Sequence, residues 1–262
     1  MSDLYLDSLS LQEEMPRLAA QSRLVYLGLE EFLRSHPIPI KNEGSLLDVG
    51  SGLGILTALV SRHFPGIHVT GLDKSTDMIR FAQVSNPKME WVNGDVASLP
   101  FSDASFDILL NSFFLIHLPQ LEKSLKEMDR VLRPGGYILM IEPDQQATKV
   151  DPLIEKLIHS HGELGPGDRK ALTQAESFYL GKAYEMITQQ ELIITTDGSD
   201  DAPELNYPNI KIGRMTAWSM ISHMGQLMNL RDIYNECLES YMKKEISIQQ
   251  FVVSIRLYRK KA

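Results

Sequence analysis

With one cysteine in 262 residues, Cys237 has no partner within the chain. That excludes an internal disulfide, a cysteine zinc cluster and an iron–sulfur centre, and it fits a reducing cytoplasm. No run approaches the roughly 18 consecutive apolar residues of a membrane span. The first 18 residues are acidic and lack the basic stretch of a secretory signal, so none is expected. Positive charge is scarce too: 26 Lys and Arg stand against 34 Asp and Glu, a formal net charge of −8. A nucleic-acid binder needs cations to displace counterions from phosphates. The only dense basic cluster, Arg256, Arg259, Lys260 and Lys261, reads as the solvated end of a last strand. Neither a nucleic acid nor a membrane is expected as a partner. Internal repeats and low-complexity tracts are absent as well.

Hydrophobic residues make up 43% and charged residues 23%, an ordinary globular balance that can bury a sizeable core. Residues 10–34 read as helix, with Leu18, Val25, Leu29 and Phe32 at helical spacing, until His36-Pro37-Ile38-Pro39 breaks the pattern. From Gly44 short apolar runs (46–49, 67–72, 89–92, 108–110 and 137–141) alternate with helical patterns at 56–64, 75–85 and 119–132. In the last of these, Pro119 falls at the first helical position and Arg133-Pro134-Gly135-Gly136 stops the helix. Each parallel return needs a crossover, so this alternation predicts a doubly wound, mostly parallel α/β sheet of seven strands. Further on, 152–161 and 171–190 read as helices and 197–209 as a polar connection. Residues 214–241 read as mainly helical and 250–258 as a final strand. The chain divides as one domain: a helical cap (1–43), a ligand-binding core (44–143), a variable substrate-side region (144–249) and the last strand (250–262).

The first strand ends in Asp48-Val49-Gly50-Ser51-Gly52-Leu53-Gly54. Ligands of open α/β sheets lie at the carboxyl ends of the strands, and glycines there let backbone turn sharply against them. A dinucleotide turn would need glycine at position 55, which is Ile55, and a phosphate loop would need lysine and Ser/Thr after its glycine. An acid before the turn and no cation within it suit a cationic or zwitterionic ligand. The second strand ends at Asp73-Lys74, where a carboxylate can accept both hydroxyls of a ribose. The third ends at Asp95-Val96, an acceptor for an exocyclic amine followed by an amide donor for a ring nitrogen. Together these describe subsites for a methionine-like zwitterion, a ribose and an adenine, with none for phosphate.

The run from Leu47 to Gly54 resembles the first motif of class I S-adenosylmethionine-dependent methyltransferases. Gly71-Leu72-Asp73 resembles their second-strand acid and Gly94-Asp95 their adenine-binding acid. Leu99-Pro100-Phe101, Ser105-Phe106-Asp107, His117-Leu118 and Arg130-Val131-Leu132-Arg133-Pro134-Gly135-Gly136 follow in the usual order. The resemblance covers about residues 46–143 and is strongest to the small-molecule branch that includes quinone-biosynthesis and natural-product enzymes. It implies S-adenosylmethionine as cofactor, held by Asp48, Gly50, Ser51, Gly52, Gly54, Asp73, Lys74, Asp95, Val96 and Asn111. Arg17 and Gln21, in a stretch like the N-terminal cap of some members, join this set. The implied activity is methyl transfer to an oxygen or nitrogen of a small-molecule acceptor.

Methyl transfer needs alignment and exclusion of water, and a base only where the nucleophile must lose a proton. His117, just beyond the fourth strand, and Glu142, at the end of the fifth, are the candidate proton acceptors. Each has a plainer reading, as a loop anchor and as a carboxylate satisfied by backbone amides. His159, His161 and His223 read as surface or packing residues. The methionine-rich stretch from Met215 to Met228 reads as a core helix face or an apolar acceptor wall. Asp197-Gly198-Ser199-Asp200-Asp201 reads as a solvated turn, so no metal is expected. A protein or RNA methyltransferase of the same fold, a non-catalytic cofactor-binding module and a nicotinamide-dependent oxidoreductase are the alternatives. Ile55 and Pro208, inside the only Tyr-x-x-x-Lys match, weigh against the oxidoreductase.

Overall fold

A computed structural model describes residues 11–40, 43–164, 170–194, 231–243 and 248–262. Helix α1 (Leu11–Ser35) is followed by β1 (Ser45–Val49), α2 (Ile55–Ser61), β2 (His68–Asp73), α3 (Thr76–Ser85) and β3 (Glu90–Asn93). Then come β4 (Phe106–Ser112), α4 (Leu121–Val131), β5 (Leu132–Pro143), the two-residue β6 (Lys149–Val150) and α5 (Pro152–Leu164). The last elements are α6 (Ala171–Leu180), β7 (Tyr184–Ile194), α7 (Arg231–Met242) and β8 (Ile248–Lys260). Single 3₁₀ turns cover Val96–Ser98 and Leu115–His117.

The strands form one sheet in the order β3-β2-β1-β4-β5-β8-β6, with β7 paired to β8. Pairings from β3 to β5 are parallel, and β8 runs antiparallel to β5, β6 and β7. The order reverses at β1, between β2 and β4, so the carboxyl ends of these strands open on a common crevice. Strand residues alternate between two buried layers. Leu46, Ile108, Leu139 and Ile255 pack with Val25, Leu29 and Phe32 of α1 and Leu56 and Val60 of α2. Leu47, Leu109, Ile138 and Met140 pack on the opposite face with Leu125, Met128 and Val131 of α4 and Ala175 and Tyr179 of α6. A fully buried Leu or Val contributes about 1.5–3 kcal/mol relative to exposure, so these two layers dominate the stability.

Four expectations are corrected. Residues 171–190 are not one helix: α6 stops at Leu180 with Gly181 as its C-cap, and β7 begins at Tyr184. Along β7 exposure alternates with a period of two, and Glu185, Ile187, Gln189, Glu191 and Ile193 all face outward. That period belongs to an edge strand. The sheet accordingly has eight strands rather than seven, the eighth being the short β6. Helix α4 begins at Leu121 with Gln120 as its N-cap, so Pro119 precedes the helix. The helix passes straight into β5, with Gly135 at φ 80 within the strand's first residues.

The last correction concerns part of the basic cluster: Arg259 and Lys261 are exposed as expected of a strand end, but Arg256 and Lys260 are not solvated. Arg256 is about nine-tenths buried, its Nε donating to Ser254 Oγ (2.9 Å) and its Nη1 lying 3.0 Å from Glu176 Oε2. Lys260 Nζ donates to the carbonyls of Asp129 (2.6 Å) and Leu132 (3.1 Å), and Arg259 lies 3.8 Å from Glu185. Arg256 and Lys260 are thus held within the fold, whereas Arg259 and Lys261 remain exposed. The methionine-rich stretch 215–228, residues 197–201, Tyr207, Lys211 and His223 lie outside the described residues, as does the side chain of His161.

Candidate active site

The turn after β1 is tied to β2, because Gly50 N and Ser51 N both donate to Leu72 O (2.8 and 3.0 Å). Gly50, Gly52 and Gly54 have φ of 76°, 51° and 71°, a left-handed region that costs other residues roughly 1–2 kcal/mol each. Two of these glycines also make room for the protein's own rings. A Cβ on Gly50 would overlap Phe114, and one on Gly54 would overlap the Trp91 indole, which also covers Gly71 in β2. Gly52 differs. Its nearest neighbour to such a carbon would be Met78 Sδ at 3.9 Å, so the turn is open there.

Asp73, at the tip of β2, is pinned beside Gly52. Its Oδ2 accepts from Gly52 N and its Oδ1 from Ser75 N, both at 2.8 Å. Asn93, at the tip of β3, secures the backbone behind it: Nδ2 donates to Asp73 O (3.0 Å) and to Lys74 O (2.8 Å). The sequence reading gave Asn93 no role. The available signal was a two-donor amide ending a strand just before Gly94-Asp95. Asp95 Oδ1 accepts from Ala97 N (2.9 Å) and so caps the 3₁₀ turn that begins at Val96. Asp95 Oδ2 lies 3.7 Å from Lys74 Nζ, and both side chains are half exposed. Asp73, Lys74 and Asp95 are thus assembled at adjacent strand tips.

Asp48 points the other way, under α2, where its Oδ2 accepts from Thr57 Oγ1 (2.5 Å). Burial pushes its carboxyl up to about 7, the Thr57 hydrogen bond opposes that rise, and the Asp73 charge adds to it.

At the tips of β4 and β5 a second cluster forms around Glu142, which is fully buried. Its Oε1 accepts from Asn111 Nδ2 (2.8 Å), Phe114 N (3.0 Å) and Leu115 N (3.1 Å). Burial pushes this carboxyl up to about 7 against those three bonds. Asn111 Oδ1 and Ser51 Oγ are buried side-chain atoms with no hydrogen-bond partner among the described residues. Leaving such an atom unpaired costs about 1–3 kcal/mol, so this corner beside the glycine turn suits a ligand carrying polar groups. His117 ends the Leu115–His117 turn and is half-buried. Arg17 is buried in α1 and donates to Gln21 Oε1 (2.9 Å), and α1 packs against α2.

Several motif residues prove to be braces. Arg130 donates to the carbonyls of Leu99 (3.0 Å) and Phe101 (2.8 Å), while Glu127 accepts from Leu99 N (2.8 Å). Arg133 and Ser45 both bond Asp107, joining the starts of β1, β4 and β5. These contacts fix the loop after the Val96–Ser98 turn and the base of the sheet, away from the strand tips. Among the described residues no group of three or more His, Cys, Asp or Glu could hold a metal ion. No helix among them is long and apolar enough to cross a membrane.

Residues 47–140 match the family model for a methyltransferase domain. The demethylmenaquinone methyltransferase of Chlorobaculum tepidum is 32% identical over 138 residues, covering 50% of this chain and 57% of the relative. The chain therefore spans little more than half the length of that relative. The solved YcgJ protein from Bacillus subtilis superposes with a TM-score of 0.59 at 20% identity, covering 90% of this chain and 97% of its own. The geranyl diphosphate C-methyltransferase of Streptomyces coelicolor, solved with Mg²⁺, geranyl diphosphate and S-adenosyl-L-homocysteine, gives 0.54 at 16% identity over 90% and 79%. At these identities the solved structures establish a common fold, the Rossmann-like α/β architecture.

Proposed function

We propose that the chain, whose residues 47–140 match the family model for a methyltransferase domain, transfers the methyl group of S-adenosylmethionine to an oxygen or nitrogen of a small-molecule acceptor. The observation that carries the reading is the Asp73 carboxylate, oriented by Gly52 N and Ser75 N at the open point of the glycine turn. When bound, the cofactor supplies an electrophilic methyl group on a good leaving group. The chain's own residues bind, orient and shield. Asp73 accepts from the ribose hydroxyls, Asp95 from the adenine amine, and the Val96 amide serves the ring. Asn111 Oδ1 and Ser51 Oγ, both buried and unpartnered, serve the polar end of the methionyl group. Asp48, under α2, supports the turn from below.

Alignment of donor and acceptor in a site closed to water is the largest contribution such a site makes. In this reading His117, on the turn beyond β4, takes a proton from an acceptor hydroxyl or ammonium where the nucleophile must lose one. In this reading Arg17 and Gln21, linked on α1, contribute a cap to the cofactor site. The net charge of −8 supports a small acceptor over a nucleic acid, as does the name of the Chlorobaculum relative. A reducing cytoplasm suits the buried single cysteine, Cys237.

Calorimetry with S-adenosylmethionine and with S-adenosyl-L-homocysteine tests the reading. The wild-type chain is expected to take up both, and Asp73→Ala to weaken uptake by about 100-fold or more, the worth of two hydrogen bonds to a charged group. Well-folded protein that takes up neither nucleoside refutes it. Release of the demethylated product with a panel of phenols, quinols and amines separates an enzyme from a binding module.

A further inference from the structure

Glu142 is a conspicuous titratable group at the site, yet its geometry does not suit proton transfer to an acceptor. The side chain has no exposed surface. Its Oε1 takes three donors and its Oε2 a fourth contact, 3.2 Å from Phe114 N. What those donors share is location. Asn111 is in the next-to-last pair of β4, opposite Met140, and Phe114 and Leu115 begin the segment that leads to His117.

That segment is strained and straddles the sheet. Phe113 is a non-glycine residue at φ 51, a conformation that persists only where its surroundings enforce it. Phe113 N donates to Ile141 O (2.9 Å), and its ring stacks on Phe251 at 6.5 Å within the α1-side layer. The next residue, Phe114, sends its ring to the opposite layer and lies against Gly50. The β5 tip bonds the backbone on both sides of this reversal, through Ile141 O and the Glu142 carboxylate. The same carboxylate takes the Nδ2 of Asn111, so the amide group cannot rotate without losing that bond, and Oδ1 is left as the buried acceptor.

We propose that Glu142 is a positioning residue: its buried carboxylate, acting as a hydrogen-bond acceptor, holds residues 113–115 across the sheet edge and fixes the amide of Asn111, so that the methionyl corner and the His117 turn are set before any ligand arrives. The functional half of this inference rests on the methyl-transfer reading, while the structural half does not. Removing the acceptor strands three buried donors, and the strained turn then relaxes. An amide oxygen in the same place still accepts from all three.

The test pairs backbone amide exchange with S-adenosyl-L-homocysteine binding in the full chain, for wild type, Glu142→Ala and Glu142→Gln. In Glu142→Ala the protection of the Phe114 and Leu115 amides is expected to fall at least tenfold, with Leu109 and Ile138 in the strands unchanged. Nucleoside affinity should fall about tenfold with it. Glu142→Gln should stay within threefold of wild type on both measures. Unchanged protection of Phe114 and Leu115 in Glu142→Ala overturns the proposal. So does Glu142→Gln losing as much protection as Glu142→Ala, and if the alanine variant fails to fold, the glutamine variant decides alone by the same criterion. A wild-type chain that takes up no nucleoside refutes the methyl-transfer reading, yet the exchange comparison still judges the role of Glu142.

Discussion

Asp48 and Asp73 end neighbouring strands, yet one is buried under a helix and the other stands at the open turn. Both were legible as acids ending apolar runs, and nothing in their spacing distinguished them. The distinction comes from strand alternation: Leu47 and Val49 face α4 and α6, so Asp48 faces α2 and is sealed beneath it. Its folded carboxyl titrates near 7, far above its ordinary 3.8. An acid raised in this way binds its proton more tightly when folded. Its contribution to stability is therefore complete below about 3.8 and is lost as the pH rises through about 7. Asp48→Asn removes that dependence. The melting temperature of wild type minus that of Asp48→Asn should fall steadily between pH 4 and pH 7 and level off above. A difference that grows with pH across this window would contradict the burial argument.

At the scale of elements, the glycine turn does two jobs that the sequence merged into one. The spacing of Gly50, Gly52 and Gly54 announced a turn against a ligand, but two of the three glycines yield to Phe114 and Trp91. Those aromatic partners come from β3 and from the segment after β4, and no pattern local to the turn reveals them. Gly54→Ala combines left-handed strain with overlap of a buried indole and should destabilise the fold by about 3 kcal/mol. Gly52→Ala meets strain alone and should cost about 1–2 kcal/mol in denaturant unfolding. Nucleoside binding should show the reverse order of sensitivity, since only Gly52 presents open space. Strand β7 was missed for a related reason. Its Glu, Gln and Met residues suit a helix, and only pairing along nearly the whole of β8 draws them into the sheet.

Across the whole molecule, the alternation of strands and helices up to β5 carried the doubly wound topology, because each parallel return forces a crossover. It could not carry the antiparallel half, where β8 pairs with strands far behind it in the chain. Nor did composition foretell that the terminal cations would be absorbed by Glu176, Glu185 and Asp129. A ligand that binds only the folded chain stabilises all of it at once. At 100 times its dissociation constant the gain is about 2.7 kcal/mol. For a chain of this size that corresponds to a rise of roughly 5–10 °C in melting temperature with S-adenosyl-L-homocysteine. No rise at saturating nucleoside would leave the fold without its proposed ligand.

The indole pressed between Gly54 and Gly71 makes the protein its own optical gauge. Trp91 is 8% exposed and donates through Nε1 to Asn86 O at 3.0 Å, and the chain has just one other tryptophan, Trp218. With Trp218 replaced by phenylalanine, a single emitter would lie directly beneath the loop. Any event that shifts this backbone would register as a change in colour or brightness, with no label attached.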